Sequence, residues 1–256
     1  MDYKYLKVTQ EGPVAIVSIN RPEQRNALNT ETLYELIDAF TCIDRDASVR
    51  AAILTAVGKA FVGGADLKEM VHMDSMDYMA FGSIYTKLNK SIRENKKPVI
   101  AAVNGLAFGG GNVMLLSADI VLASEKAKFG LLEINLGIFG GAYLMPSLIG
   151  RYRASELVLT GDVYTAQQAY EMGIVNHVLP PDELMPAAME MAKKISAKAP
   201  AAVAFAKKSL LNGTKYDVDT ACDMQLPLMS ILYSGHDQKE GMNAFFEKRE
   251  PQYTGR

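Results

Sequence analysis

Along this chain, short runs in which every position is apolar alternate with longer runs in which apolar residues recur three and four apart. VAIVSIN (14–20), AAILTAV (51–57) and PVIAAV (98–103) are of the first kind, and their length and β-branched content predict strands covered on both faces. Between them, residues 30–46 and 77–95 carry the helical period, which gives the strand–helix–strand order of a parallel sheet. IVNHVLP (174–180) reads as a further strand, and Thr165 as the N-cap of a helix over the residues that follow. From about residue 181 only helices are predicted: ELMPAAMEMAKKISAKA, PAAVAFAKKSLLNG, a stretch through 217–234, and DQKEGMNAFFEKR. Such a tail needs a surface for its apolar stripes, either its own core or a neighbouring subunit.

Composition excludes several classes of partner. With 256 residues, 49% hydrophobic and 22% charged, the chain can bury a large core as one domain or as one domain plus a helical appendage. A formal charge of -2 with scattered Lys and Arg offers no basic face for nucleic acid or a membrane surface. Cys42 and Cys222 fall in predicted helices with no ligand spacing, so neither a disulfide framework nor a metal site is expected. No run approaches the roughly 18 apolar residues of a membrane span. MDYKYLKVTQ mixes acid and base with no apolar segment behind it, so the cytoplasm is the expected location.

Candidate chemistry gathers at two glycine-rich turns, AFVGGADLKEM (60–70) and NGLAFGGGN (104–112), each following a strand-like run. Glycine lets the backbone turn sharply and aim N–H groups at a ligand, and two such turns on neighbouring strands can converge two donors on one oxygen. Neither has the spacing of a phosphate cradle, and no GxSxG elbow exists for a serine nucleophile. His72, His177 and His236 are read as loop or structural residues.

FVGGADLKEM, the run from AAVNGLAFGGGNVM to KFGLLEINLG, the opening NRPEQRNALN, LTGDVYTAQQAYEMGIVNHVLP and the closing AFFEKREPQY together resemble the crotonase (enoyl-CoA hydratase/isomerase) superfamily, nearly end to end. The resemblance implies an α/β fold, with a β/α spiral core over residues 1–195 holding an acyl-CoA site and a C-terminal helical trimerisation region over 196–256. It also implies homotrimers or dimers of trimers, with coenzyme A entering as part of the substrate and no separate cofactor. In that family the alanine of the first turn and the middle glycine of the second bind the thioester oxygen through their backbone N–H groups, and these match Ala65 and Gly110. Such donors are worth about 3–4 kcal/mol each toward an enolate. Family positions that hold coenzyme A match Arg25, Ala27, Gly63, Asp66 and Leu67, with Lys248 reaching its phosphates from the same or a neighbouring subunit.

The hydratases of this family carry two glutamates, and here the chain departs from them. The first position is Val113, which cannot transfer a proton; the second is Glu133. A glutamate among Leu131, Leu132 and Ile134 is expected to have its pKa raised by desolvation, toward the range of a general base. One carboxylate suffices to shuttle a proton from C2 to C4, so the leading expectation is 3-enoyl-CoA to 2-enoyl-CoA isomerisation. Isomerases of the superfamily look similar in pairing one glutamate with an apolar residue. The alternatives are hydration, including that of conjugated or cyclic dienoyl-CoA, with Asn112 orienting water; decarboxylation; and a non-catalytic CoA-binding module. Phe139 and Tyr143 are read beside the acyl pocket, Tyr143 also as a second proton donor.

Overall fold

A computed structural model describes residues 2–255. In chain order its elements are β1 (Leu6–Glu11), β2 (Val14–Ile19), α1 (Thr30–Arg45), β3 (Ala51–Ala56), β4 (Ala60–Val62), α2 (Leu67–Met70), α3 (Ser75–Arg93), β5 (Val99–Val103), β6 (Leu106–Phe108), α4 (Gly110–Leu115), β7 (Ile120–Ser124) and β8 (Lys128–Gly130). After a 3-10 turn over Leu132–Leu136 come α5 (Met145–Ile149), α6 (Arg151–Thr160), β9 (Tyr164–Thr165), α7 (Ala166–Glu171), β10 (His177–Leu179), α8 (Leu184–Ser196), α9 (Pro200–Gly213), α10 (Val218–Leu232) and α11 (His236–Glu247).

The strands form two sheets. The larger has the order β1-β2-β3-β5-β7-β10 and is parallel apart from the β1–β2 hairpin; the smaller has the order β4-β6-β8-β9, with only β8–β9 antiparallel. Chain order explains the pairing. β3, β5 and β7 each hand over within a few residues to β4, β6 and β8, so each turn of the spiral lays one strand in each sheet before the chain returns. AFV (60–62) and LAF (106–108), read from sequence as parts of the glycine turns, are therefore strands in their own right. At three residues they are too short to show a period.

Period-two alternation sends successive side chains of the large sheet to opposite faces. Ala51 and Ile53 of β3 join Val14, Ile16, Ile100, Ala102 and Leu122 under α8, whose Leu184, Ala188 and Ala192 form one stripe. Ala52 and Leu54 face the other way, into a core shared with Leu33, Leu36 and Phe40 of α1, Leu88 and Ile92 of α3, and Phe61 and Phe129 of the small sheet.

The turn after β2 is stapled by Asn26, fully buried and left-handed at φ 57°, a conformation asparagine tolerates better than most residues. Its Oδ1 accepts from the Arg21 N–H at 2.7 Å, and its Nδ2 donates to the Val57 and Ala60 carbonyls at 2.9 and 2.7 Å. Asn26→Ala strands all three groups, and a loss of about 2–3 kcal/mol is expected in urea unfolding. Thr165 caps α7 with a reciprocal box to Gln168, as its place in the sequence predicts.

The C-terminal helices are tied to the core by polar contacts. Lys207 of α9, 6% exposed, pairs with Asp119 at 2.7 Å and donates to the Ile92 and Lys97 carbonyls. Arg50 donates to the carbonyls of Ser196 and Tyr253. The outer sides of these helices leave Leu210, Val218, Leu226, Ile231, Phe245 and Phe246 exposed. Among the described residues no helix is long and apolar enough to cross a membrane.

Candidate active site

A cavity of about 510 Å³ opens where the turn after β4, the N-terminal half of α4, one face of α3 and the loop after the 3-10 turn meet. Its walls bring together Gly63, Ala65, Leu67, Gly110, Val113, Glu133, Phe139 and Tyr143, eight of the residues expected from sequence.

Two backbone amides on this cavity are unpaired for definite reasons. An isolated parallel bridge joins Leu28 to Ala65; the bonds Leu28 N–H to Gly64 O and Asp66 N–H to Leu28 O clasp the residues on either side, so the Ala65 N–H is left over. Gly110 opens α4, where first-turn N–H groups have no carbonyl four residues back. Among the described residues neither amide finds a protein acceptor.

Glu133 projects from the 3-10 turn onto bare glycine. A Cβ on Gly109 would stand 3.1 Å from Glu133 Oε1 and 3.2 Å from its Cδ, and one on Gly140 would stand 3.4 Å from Oε1. A side chain at either glycine would crowd the carboxyl, and Gly109 also has φ 51°. Glu133 Oε2 is buried without a partner. Burial pushes the carboxyl above its ordinary pKa, opposed by a hydrogen bond from its own backbone.

Among the described residues no second carboxylate lines the cavity. Val113, 5% exposed, packs its Cγ2 where a Cβ on Gly141 would fall. Asn112, expected as a water-orienting amide, is fully buried on the other side of α4, paired with the Tyr164 hydroxyl at 3.1 Å. Successive helical residues diverge by about 100°, so Val113 facing the cavity turns Asn112 away from it. Phe139 and Tyr143 sit at the mouth, 74% and 65% exposed. Arg25, Ala27 and Asp66 lie outside the cavity wall: the Arg25 carbonyl accepts from Gly63, the Ala27 carbonyl accepts from Arg21, and Asp66 pairs with Arg21 at 3.1 Å while capping α2. Lys248 is exposed at the end of α11, away from the cavity, and His72 is exposed in the turn between α2 and α3.

Sequence reasoning missed the wall supplied by α3. Its buried face runs Phe81, Ile84, Leu88, Ile92, and beside it stand Tyr85 and Asn89, one turn apart and both on the cavity. Two polar residues at i, i+4 along an apolar stripe were the available signal. Tyr85 meets Phe81 edge to face, with ring centroids 5.3 Å apart. Among the described residues no group of three His, Cys, Asp or Glu side chains is placed to hold a metal ion.

Comparison with known proteins gives a consistent result. A family model described as enoyl-CoA hydratase/isomerase matches residues 9–256. The short-chain-enoyl-CoA hydratase of Clostridium acetobutylicum is 42% identical over 253 residues, covering 97% of each chain. The crotonyl-CoA hydratase of Syntrophomonas wolfei is 38% identical over 260 residues, covering 100% of both. The crystal structure of an enoyl-CoA hydratase from Bacillus anthracis superposes with a TM-score of 0.96 at 38% identity, covering 99% of this chain and 100% of that one.

Proposed function

The chain belongs to the enoyl-CoA hydratase/isomerase family, and from that premise we propose that it adds water across the double bond of a 2-enoyl-CoA with one carboxylate serving both proton transfers. The observation that carries this reading is Glu133, held over the Gly109–Gly110 turn on the same cavity as the two unpaired amides of Ala65 and Gly110. The thioester oxygen accepts from both amides, which draws electrons from the conjugated C2=C3 bond. Glu133 takes a proton from water as the water oxygen bonds to C3, and the electron pair of the double bond moves to the thioester oxygen as an enolate. Glu133 then returns the proton to C2. The amides act at the oxygen where charge develops, and a raised carboxyl pKa suits a group that must accept and release a proton in one cycle.

The names of the relatives support hydration over the isomerisation expected from sequence. Val113 favours isomerisation as the second reading, because moving a double bond needs a shuttle and no held water. The substrate-bearing coenzyme enters past Gly63 and Leu67, with Arg25 near the same turn. The exposed apolar side chains of α9–α11 support assembly of subunits as trimers or pairs of trimers.

The test is turnover of a 2-enoyl-CoA and a 3-enoyl-CoA in deuterated water, followed by product mass. Hydration gives a product heavier by one water from the 2-enoyl substrate. Bond migration with deuterium exchange and no added water selects the isomerase instead. Thermal stabilisation by coenzyme A with no turnover of either substrate overturns both readings in favour of a binding module.

A further inference from the structure

Among the described residues, Tyr85 Oη and Glu133 Oε2 are both buried and lack a hydrogen-bond partner, and their residues share one cavity. One is a donor and the other an acceptor-only oxygen when ionised. They also rest on the same dipeptide: Oε2 is 3.6 Å from the point a Cβ on Gly109 would occupy, and Oη is 2.6 Å from the corresponding point on Gly110. The orphan donor and the orphan acceptor thus border neighbouring residues of the GGG turn, and the charge of Glu133 is felt at the phenol. A buried polar atom left unpaired is costly, and most are paired in native proteins. Building on the single-glutamate reading above, we propose that Tyr85 is a positioning residue whose hydroxyl donates to Glu133 Oε2 when substrate closes the cavity, fixing the carboxylate that no second acid accompanies.

Among the described residues the cavity holds one other buried acceptor without a partner, Asn89 Oδ1, one turn along α3 from Tyr85, and Glu133 Oε2 is the one of the two that carries charge. The other titratable side chains on the cavity are Tyr78, from the same helix, and Tyr143, exposed at the mouth. Asp66 and Glu69 of the α2 region are engaged by Arg21 and Thr30, and among the described residues no Lys or Arg lines the cavity. The phenol keeps its proton throughout: burial raises its pKa, and the nearby Glu133 charge raises it further. It therefore acts as a neutral donor, and no atom is transferred to or from it. A Cβ on Gly110 would displace this hydroxyl, which links the turn carrying one oxyanion amide to the orientation of the base.

Tyr85→Phe removes the hydroxyl and keeps the ring edge against Phe81. A donor lost from an ionised carboxylate favours its protonated form, so the acid limb of kcat/KM is expected to move to higher pH by about half a unit to one unit. At the plateau, kcat is expected to fall about tenfold with KM little changed, as for a hydrogen bond to a charged group. Thermal unfolding monitors the fold, and Tyr85→Phe in a Glu133→Gln background should lose nothing further. A pH limb and kcat that do not move in a folded Tyr85→Phe variant, or a full additional loss in the Glu133→Gln background, overturn the proposal. Absence of turnover by the unsubstituted enzyme overturns the underlying function instead, so the two failures are distinct.

Discussion

Glu133→Gln lowers kcat for its enoyl-CoA substrate by about 10²–10⁴-fold, the range of a general acid–base group, while KM stays close to that of the unsubstituted enzyme. Glutamine keeps the shape that fits over Gly109 and Gly140, so folding and binding survive while proton transfer does not. The expected split between kcat and KM marks an interaction made in the transition state. The acid limb of the unsubstituted enzyme follows from the sign of the shift. Burial raises the Glu133 pKa, so the carboxylate is ionised and able to act as base only above that raised value. Activity is therefore lost as pH falls through a point above the ordinary glutamate range, and the variant shows no such limb on its residual rate. A fall of less than tenfold would remove Glu133 from the chemistry and reopen decarboxylation, which needs only the amides of Ala65 and Gly110.

The largest change in stability is expected from Lys207→Met. Burial pushes the Asp119 carboxyl up and the Lys207 ammonium down, while their mutual attraction opposes both shifts. Such pairs are poor sources of stability yet expensive to halve, because one buried charge is left alone. Lys207→Met leaves Asp119 with only the Val99 N–H and also deprives the Ile92 and Lys97 carbonyls of a donor. A loss of about 3–4 kcal/mol is expected, toward the low end for a broken buried pair because Asp119 keeps some contact with solvent. Adding Asp119→Asn should recover part of it, since an amide oxygen still accepts from Val99. Urea unfolding of the two variants measures the difference, and a double variant no more stable than the single one would show that the carbonyl contacts, rather than the stranded charge, set the cost.

Most long elements were legible because burial on one stripe or two faces imposes a period. The helix read over 30–46 spans Thr30–Arg45, and AAILTAV and PVIAAV are central strands of the large sheet. What escaped included β4, β6 and β8, which hold three residues each and are defined by their neighbours in the small sheet, and also β1 and α6, each of which buries a single residue and so shows no apolar period. The same division runs through the cavity. Ala65, Gly110 and Glu133 sit in motifs and were readable along the chain. Tyr85 reaches the cavity because α3 packs across α4, a relation that depends on two distant segments. Asn112 was misplaced because composition at a position does not fix the side of a short helix it occupies until one neighbour is known to face the cavity.

The contact between Val113 and Gly141 constrains how this protein can change. Because the valine methyl lies where any side chain at 141 would have to be, position 141 accepts a side chain only if residue 113 gives way. A glutamate reintroduced at 113 would have to thread its longer chain past the loop at 141 or into the acyl space beside Glu133. A second acid at 113 is therefore accommodated only while position 141 stays glycine. The exposed Phe139 and Tyr143 meet no such steric limit, so the mouth of the cavity can change shape without disturbing the Val113–Gly141 contact.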